Sequence, residues 1–118
     1  MSHKLPNYLR AYRKGVGFTQ GEVAYLLGCL SGAKVSRYER FSRQPNLDTV
    51  FAYETIFRIP ARELFAGVHQ RVEHETARRV RVLIRRLGKG ASLPTTRRKA
   101  EFLRDVSLGL RTNPPKPS

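Results

Sequence analysis

A chain of 118 residues has room for one ordinary hydrophobic core and an appendage rather than two full domains. With 40% hydrophobic and 27% charged residues it lies near the average of globular proteins, which excludes wholesale disorder. The 23 Lys and Arg against 9 Asp and Glu leave a formal net charge of +14, an excess that repels itself in a compact state and favours a polyanionic partner, nucleic acid foremost.

Helical spacing dominates and strict alternation is absent, so the expected class is all-α. A first helix is expected from about Asn7 to Lys14, after Pro6, with Leu9, Tyr12 and Val16 on one side and Gly15 and Gly17 as its stop. Thr19-Gln20-Gly21-Glu22 has the form of a capping box, in which the hydroxyl and the carboxylate each satisfy a backbone donor of the other residue. The second helix then runs from Thr19 to about Leu27, burying Val23, Ala24 and Leu27, and ends at Gly28. Ser31 is the expected N-cap of a third helix ending near Arg40, with Val35 and Tyr38 inward. Pro45-Asn46 breaks the chain, and Asn46 caps a fourth helix that directs Leu47, Val50, Phe51 and Phe57 to the core. Ile59-Pro60 opens a fifth helix with the stripe Leu64, Phe65, Val68 and Val72. Five short helices fit residues 5 to about 66.

Beyond this point the composition shifts: residues 1–66 carry 10 basic and 5 acidic residues, residues 67–118 carry 13 and 4. Val80, Leu83, Ile84 and Leu87 form a narrow apolar stripe, either on a continuation of the fifth helix or on a new one, as far as Gly88. Residues 88–94 read as a linker, and a last helix from about Arg97 to Leu110 presents Ala100, Leu103, Val106 and Leu110. A disordered tail is expected from about residue 112, through Pro114-Pro115-Lys116-Pro117.

A helix-turn-helix requires a small residue early in its first helix, a glycine at the turn and a buried aliphatic in the second helix. Ala24, Gly28 and Val35 supply these, with Gln20 at the head. The longer run Phe18-Thr19-Gln20-Gly21-Glu22-Val23-Ala24-Tyr25-Leu26-Leu27-Gly28, followed by Val35-Ser36-Arg37-Tyr38-Glu39, resembles the XRE family of phage repressor/Cro-like transcriptional regulators. The resemblance continues through Arg43-Gln44-Pro45-Asn46-Leu47 and Ile59-Pro60-Ala61-Arg62-Glu63-Leu64-Phe65, covering about residues 5 to 66. It implies a five-helix repressor-like bundle over residues 1–66, with residues 67–118 as a basic helical extension for dimerisation or partner binding. Two features depart from the family pattern. Six residues separate Gly28 from Val35 where five are usual, which leaves the start of the recognition helix open by one position, and Phe41 stands where many members have glycine.

The resemblance implies that the third helix enters the major groove while the second crosses the backbone. Matching Val35, Ser36 and Glu39 makes Gly32, Ala33, Lys34 and Arg37 the base-facing candidates, with Ser31 and Ser36 beside them. Arg37 is preferred because a guanidinium pairs bidentately with guanine O6 and N7. Gln20 is expected at the DNA backbone, or else in a local capping role, and Arg40 and Arg43 are expected on phosphates. Arg13 and Glu39 match an internal ion pair, and the Tyr38 ring is read as core. The Arg pairs at 78–79, 85–86 and 97–98 are either a solvated helix face or a nucleic-acid contact. Aromatic residues do not alternate with them as a single-strand stacking platform requires, so duplex DNA is preferred to RNA.

The expected function is therefore sequence-specific duplex DNA binding by a transcriptional regulator, a repressor, acting as a homodimer through the C-terminal helices. The alternatives are an antitoxin-type DNA-binding protein with a toxin partner and an RNA- or ribosome-associated basic protein. No enzyme is expected, because Cys29 has no nearby histidine, no glycine-rich phosphate loop occurs and the carboxylates are scattered. Neither metal nor other cofactor is expected: His3, His69 and His74 lack cysteine partners. No apolar run approaches the roughly 20 residues of a membrane span, and the polar start leads into no signal-peptide core. A cytoplasmic protein, nucleoid-associated when bound to DNA, is the expectation.

Overall fold

The computed structural model describes residues 4–89 and 92–111, which form α-helices and no strand. The expected tail from about residue 112 lies outside them. The helices are α1 (Leu9–Val16), α2 (Gln20–Leu27), α3 (Gly32–Glu39), α4 (Leu47–Phe57), α5 (Ala61–Leu64), α6 (Ala66–Gly88) and α7 (Pro94–Arg111). The chain divides into two compact units, Met1–Gln70 and Arg71–Ser118.

Local chemistry sets the starts of α2, α3 and α4. Thr19 Oγ1 accepts from the Glu22 amide at 3.0 Å while the Glu22 carboxylate accepts from the Thr19 amide at 2.8 Å, completing the capping box. Ser31 Oγ accepts from the Ala33 amide and Asn46 Oδ1 from the Thr49 amide. The short α5 is capped from a distance: the Ala61 amide donates to Glu54 Oε2 of α4 at 2.7 Å. For α1 the boundaries shift, since Gly15 lies within the helix and Gly17, at φ 99, ends it. Val16, expected inward, is exposed on this last turn, where the chain turns away.

The core of the first unit gathers Leu9, Val23, Ala24, Val35, Tyr38, Tyr53, Leu64 and Phe65, with Tyr12, Phe18, Leu27, Val50, Phe57 and Val68 packed against it. Tyr53 is central to its aromatic part. It meets Tyr38 and Phe65 edge-on, with centroids 6.2 Å away in each case, and stacks on Phe57 at 6.1 Å. Pairs of this kind add about 0.5–1.5 kcal/mol each beyond their buried area. Leu47 and Phe51 are corrections to the expected core, for both are exposed. Tyr53 with Val50 and Phe57 defines the inner face of α4, and Leu47 and Phe51 lie roughly 120–160° around the helix from Tyr53 at 3.6 residues per turn. Val72 is likewise exposed.

A strap closes the unit. The Gly67 amide donates to the Leu5 carbonyl and the Tyr8 amide to the Leu64 carbonyl, both at 2.8 Å. A Cβ on Gly67 would collide with the Leu5 carbonyl oxygen, so only glycine permits this approach.

In the second unit, Gly88 is the last residue of α6 rather than the first of a linker. Helix α7 begins at Pro94, earlier than the expected Arg97, because proline's fixed φ and missing donor suit a first helical turn. Val80 and Ala100 are buried, Ile84, Leu87, Leu103, Val106 and Leu110 half-buried, and Leu83 and Phe102 exposed.

Candidate nucleic-acid interface

Helix α3 has two unlike sides. Val35, Tyr38 and Glu39 are buried, whereas Ala33, Lys34, Arg37 and Arg40 are exposed and Ser36 is half-buried. Ala33, Arg37 and Arg40 follow one another at i, i+4 and i+7, a single helical face, with Ser36 and Lys34 on its two flanks. Gly32 is separate from that face. Its missing side chain lets α3 approach α2, because a Cβ there would lie 3.2 Å from the Gln20 Cβ and 3.3 Å from the Gly21 nitrogen. Ser31 is occupied as the N-cap, and the longer turn before it leaves the Leu30 side chain fully exposed. Helix α3 starts at Gly32, directly after its N-cap Ser31.

The inner side of α3 is anchored by a buried ion pair. Arg13 Nε donates to Glu39 Oε2 at 2.6 Å and Arg13 Nη2 to Glu39 Oε1 at 3.0 Å, and the side chains are only 10% and 2% exposed. Arg13 Nη1 also donates to the Phe18 carbonyl, and Gln20 Nε2 to Glu39 Oε1 at 3.1 Å. One carboxylate thus ties α1, α2 and α3 together, and Arg13 adds the loop before α2. The hydrogen bonds to Glu39 raise the pKa of the Arg13 guanidinium above its ordinary value, outweighing the opposing effect of burial. The internal pair implied by resemblance is present, and Gln20 rests on it through its amide nitrogen.

The end of α3 is a Schellman motif. The Phe41 amide donates to the Tyr38 carbonyl and the Ser42 amide to the Arg37 carbonyl, with Phe41 in the left-handed region at φ 64. Phe41 therefore adopts the conformation that glycine would adopt in a typical family member. Arg40 turns back to donate from Nε to Ser36 Oγ at 3.1 Å, and Arg43 is exposed in the following loop.

Beside this helix runs an open groove whose walls include Arg10 and Lys14 of α1, Gln20, and Ser36 and Arg40 of α3. Arg10 and Lys14 were not singled out by sequence reasoning. Their i, i+4 spacing puts them on one side of α1, but only the packing of α1 on α3 brings that side next to α3.

In comparison with protein families, residues 9–64 match the helix-turn-helix family. This stretch is a helix-turn-helix domain of the XRE family. The match covers somewhat less than half of the chain and supports a DNA-binding transcription regulator of this type, with α2 and α3 as the two helix-turn-helix elements. No curated protein and no solved structure matched the chain. No helix among the described residues is long and apolar enough to cross a membrane. Among the same residues, no group of three or more His, Cys, Asp or Glu is placed to hold a metal ion.

Proposed function

We propose that this XRE regulator is a sequence-specific repressor that reads duplex DNA with the outer face of α3 and blocks a promoter by occupying it. The observation that carries the reading is the division of α3: its inner residues are locked by the Arg13–Glu39–Gln20 network while Ala33 and Lys34 stand exposed in its first turn and Arg37 stands exposed one turn further on. A rigid helix with an unencumbered guanidinium suits bidentate recognition of guanine. Gln20, Ser36, Arg40 and Arg43, joined by Arg10 and Lys14 along the groove, are assigned to phosphates, which position the helix without reading sequence. Ser31 and Gly32 serve the reading indirectly, one by starting α3 and the other by letting it lie close to α2.

The protein is further proposed to act as a homodimer on two half-sites, with residues 67–118 supplying the contact between copies. Val80 of the anticipated stripe is already buried within the chain, so the contact is assigned to exposed apolar residues of this segment, Leu83 and Phe102 among them.

Selection of bound duplexes from a random pool tests the reading. A palindromic sequence is expected. On that sequence Arg37→Ala should cost about 1–3 kcal/mol and relax the choice at one base pair. Equal weakening on every duplex would instead make Arg37 a phosphate contact, and a wild-type protein that enriches no sequence would refute the proposal. Raised expression from a reporter carrying the selected site when the protein is withdrawn distinguishes a repressor from an activator.

A further inference from the structure

The acidic residues of the second unit are unevenly placed. None occurs between Glu75 and Glu101, and residues 76–100 hold nine Lys and Arg. Within α6 that charge is ordered. At 3.6 residues per turn, Arg78, Arg79, Arg81, Arg85 and Arg86 fall in an arc of about 160°, and Val80, Ile84 and Leu87 occupy the opposite side. All five arginines are exposed, while Val80 is buried and Ile84 and Leu87 are half-buried. The apolar side fixes how the helix is turned, and the arginines form a continuous row of about 12 Å at 1.5 Å per residue.

Among the described residues no carboxylate pairs with this row. Arg71 pairs with Glu75 at 3.5 Å, on the helix before the row begins. Arg78 and Arg81, then Arg81 and Arg85, are like charges at i, i+3 and i, i+4, a spacing that destabilises a helix. The helix dipole favours cations in the last turn, which accounts for Arg85 and Arg86 but not for Arg78, Arg79 or Arg81. A merely solvated face has no need of a single sign. Every cation in the row is arginine, whose planar fork matches a phosphate group.

We infer that the arginine row of α6 is a second, sequence-independent surface for the phosphate backbone of duplex DNA flanking the site read by α3. The choice of duplex DNA rests on the function proposed above. A duplex strand presents one phosphate per roughly 3.4 Å of axis, so the row spans three or four of them. Because α6 is covalently part of the reader, the row acts at high local concentration once α3 is engaged. It raises affinity for all sequences alike and leaves preference among them unchanged.

The test uses the full chain with Arg78→Gln, Arg79→Gln, Arg85→Gln and Arg86→Gln combined, beside a set in which the same four residues become Lys. Binding is measured across a salt series on four probes. These are the selected duplex with flanks, the same duplex trimmed to the recognised base pairs, a random duplex and an RNA hairpin. With about 0.9 of log–log salt slope per phosphate contact, the Gln set should bind flanked and random duplexes with a slope shallower by about 3. Its affinity should fall at least tenfold on both, with their ratio unchanged and a smaller loss on the trimmed duplex, and the Lys set should keep the wild-type slope. An unchanged slope in the Gln set overturns the inference. So does an equal loss in the Lys set, which would mark a structural role. A slope change on the RNA hairpin alone would assign the row to RNA, and a loss confined to the selected palindrome would assign it to pairing of two copies. Failure of the proposed function is a separate outcome, visible as a wild-type protein with no preference between selected and random duplexes.

Discussion

Tyr53 is 1% exposed, yet its hydroxyl has no hydrogen-bond partner among the described residues. A buried donor left unpaired costs free energy that a phenylalanine of the same shape avoids, so Tyr53→Phe should stabilise the fold by about 1 kcal/mol in denaturant unfolding. A loss of stability would mean that a buried water serves the hydroxyl. Burial, aided by the negative Glu39, raises the pKa of this phenol above its ordinary value. A folded-state pKa above the unfolded value of about 10 gives a contribution fully present below that pH and lost as pH rises through the folded value. Wild-type stability should therefore decline more steeply above about pH 10 than that of Tyr53→Phe. Glu39 is the opposite kind of buried polar group, since both of its oxygens are engaged. Removing it leaves Arg13 charged and without its partner, and Glu39→Ala should cost about 3 kcal/mol of stability. Specific DNA affinity, measured at a temperature where the variant is still folded, should change far less. An unchanged melting temperature with abolished binding would instead place Glu39 in the DNA contact.

Several helix ends of the reader are closed by short motifs, and at two of them, Phe41 after α3 and Arg58 after α4, a residue other than glycine is left-handed. A left-handed conformation costs an L-residue roughly 1–2 kcal/mol, and Phe41 bears that cost at the close of α3 with its ring about half exposed. Phe41→Gly should raise stability by about 1 kcal/mol, seen as a higher melting temperature. A lower one would show that the ring's packing outweighs the strain. The caps at Thr19, Ser31 and Asn46 were legible because each depends on residues two or three apart. The Glu54 cap of α5 was not legible, since its partner lies seven residues away across a bend, and nothing local announces the bond from Asn7 Nδ2 to the Tyr38 carbonyl. On α4 the spacing fitted two faces, and tertiary packing chose the one with Tyr53. The outer face of α3 followed from matching Val35, Ser36 and Glu39. The wall contributed by Arg10 and Lys14 did not, because two helices distant in sequence create it.

At the scale of the molecule, charge and pairing of copies are separable by truncation after Gln70. A cut before Gly67 would remove both Gly67 and Val68, which belong to the first unit's strap and core. Residues 71–118 hold 13 basic and 4 acidic residues, so their loss should weaken binding to every duplex. If they also join two copies, the palindrome should suffer more than a single half-site, because the second contact is then no longer intramolecular. Sedimentation decides the matter: a truncated chain that is still dimeric places the interface within the first unit. Helix α6 passes the boundary at Gln70 without a break. Starting a helix is its costly step, because one hydrogen bond must fix three residues, whereas each later residue adds a bond of its own. The opening turn of α6 is already held, by Val68 against the core, by the Gly67 amide on Leu5 and by the His69 amide on the Phe65 carbonyl. The five-helix bundle is thus a nucleus for the helix that follows it, and the self-repelling arginines are reached by propagation from an ordered end. A chain growing or refolding in this way orders its reader first and its arginine row afterwards, while a detached 71–118 segment would have to nucleate α6 unaided.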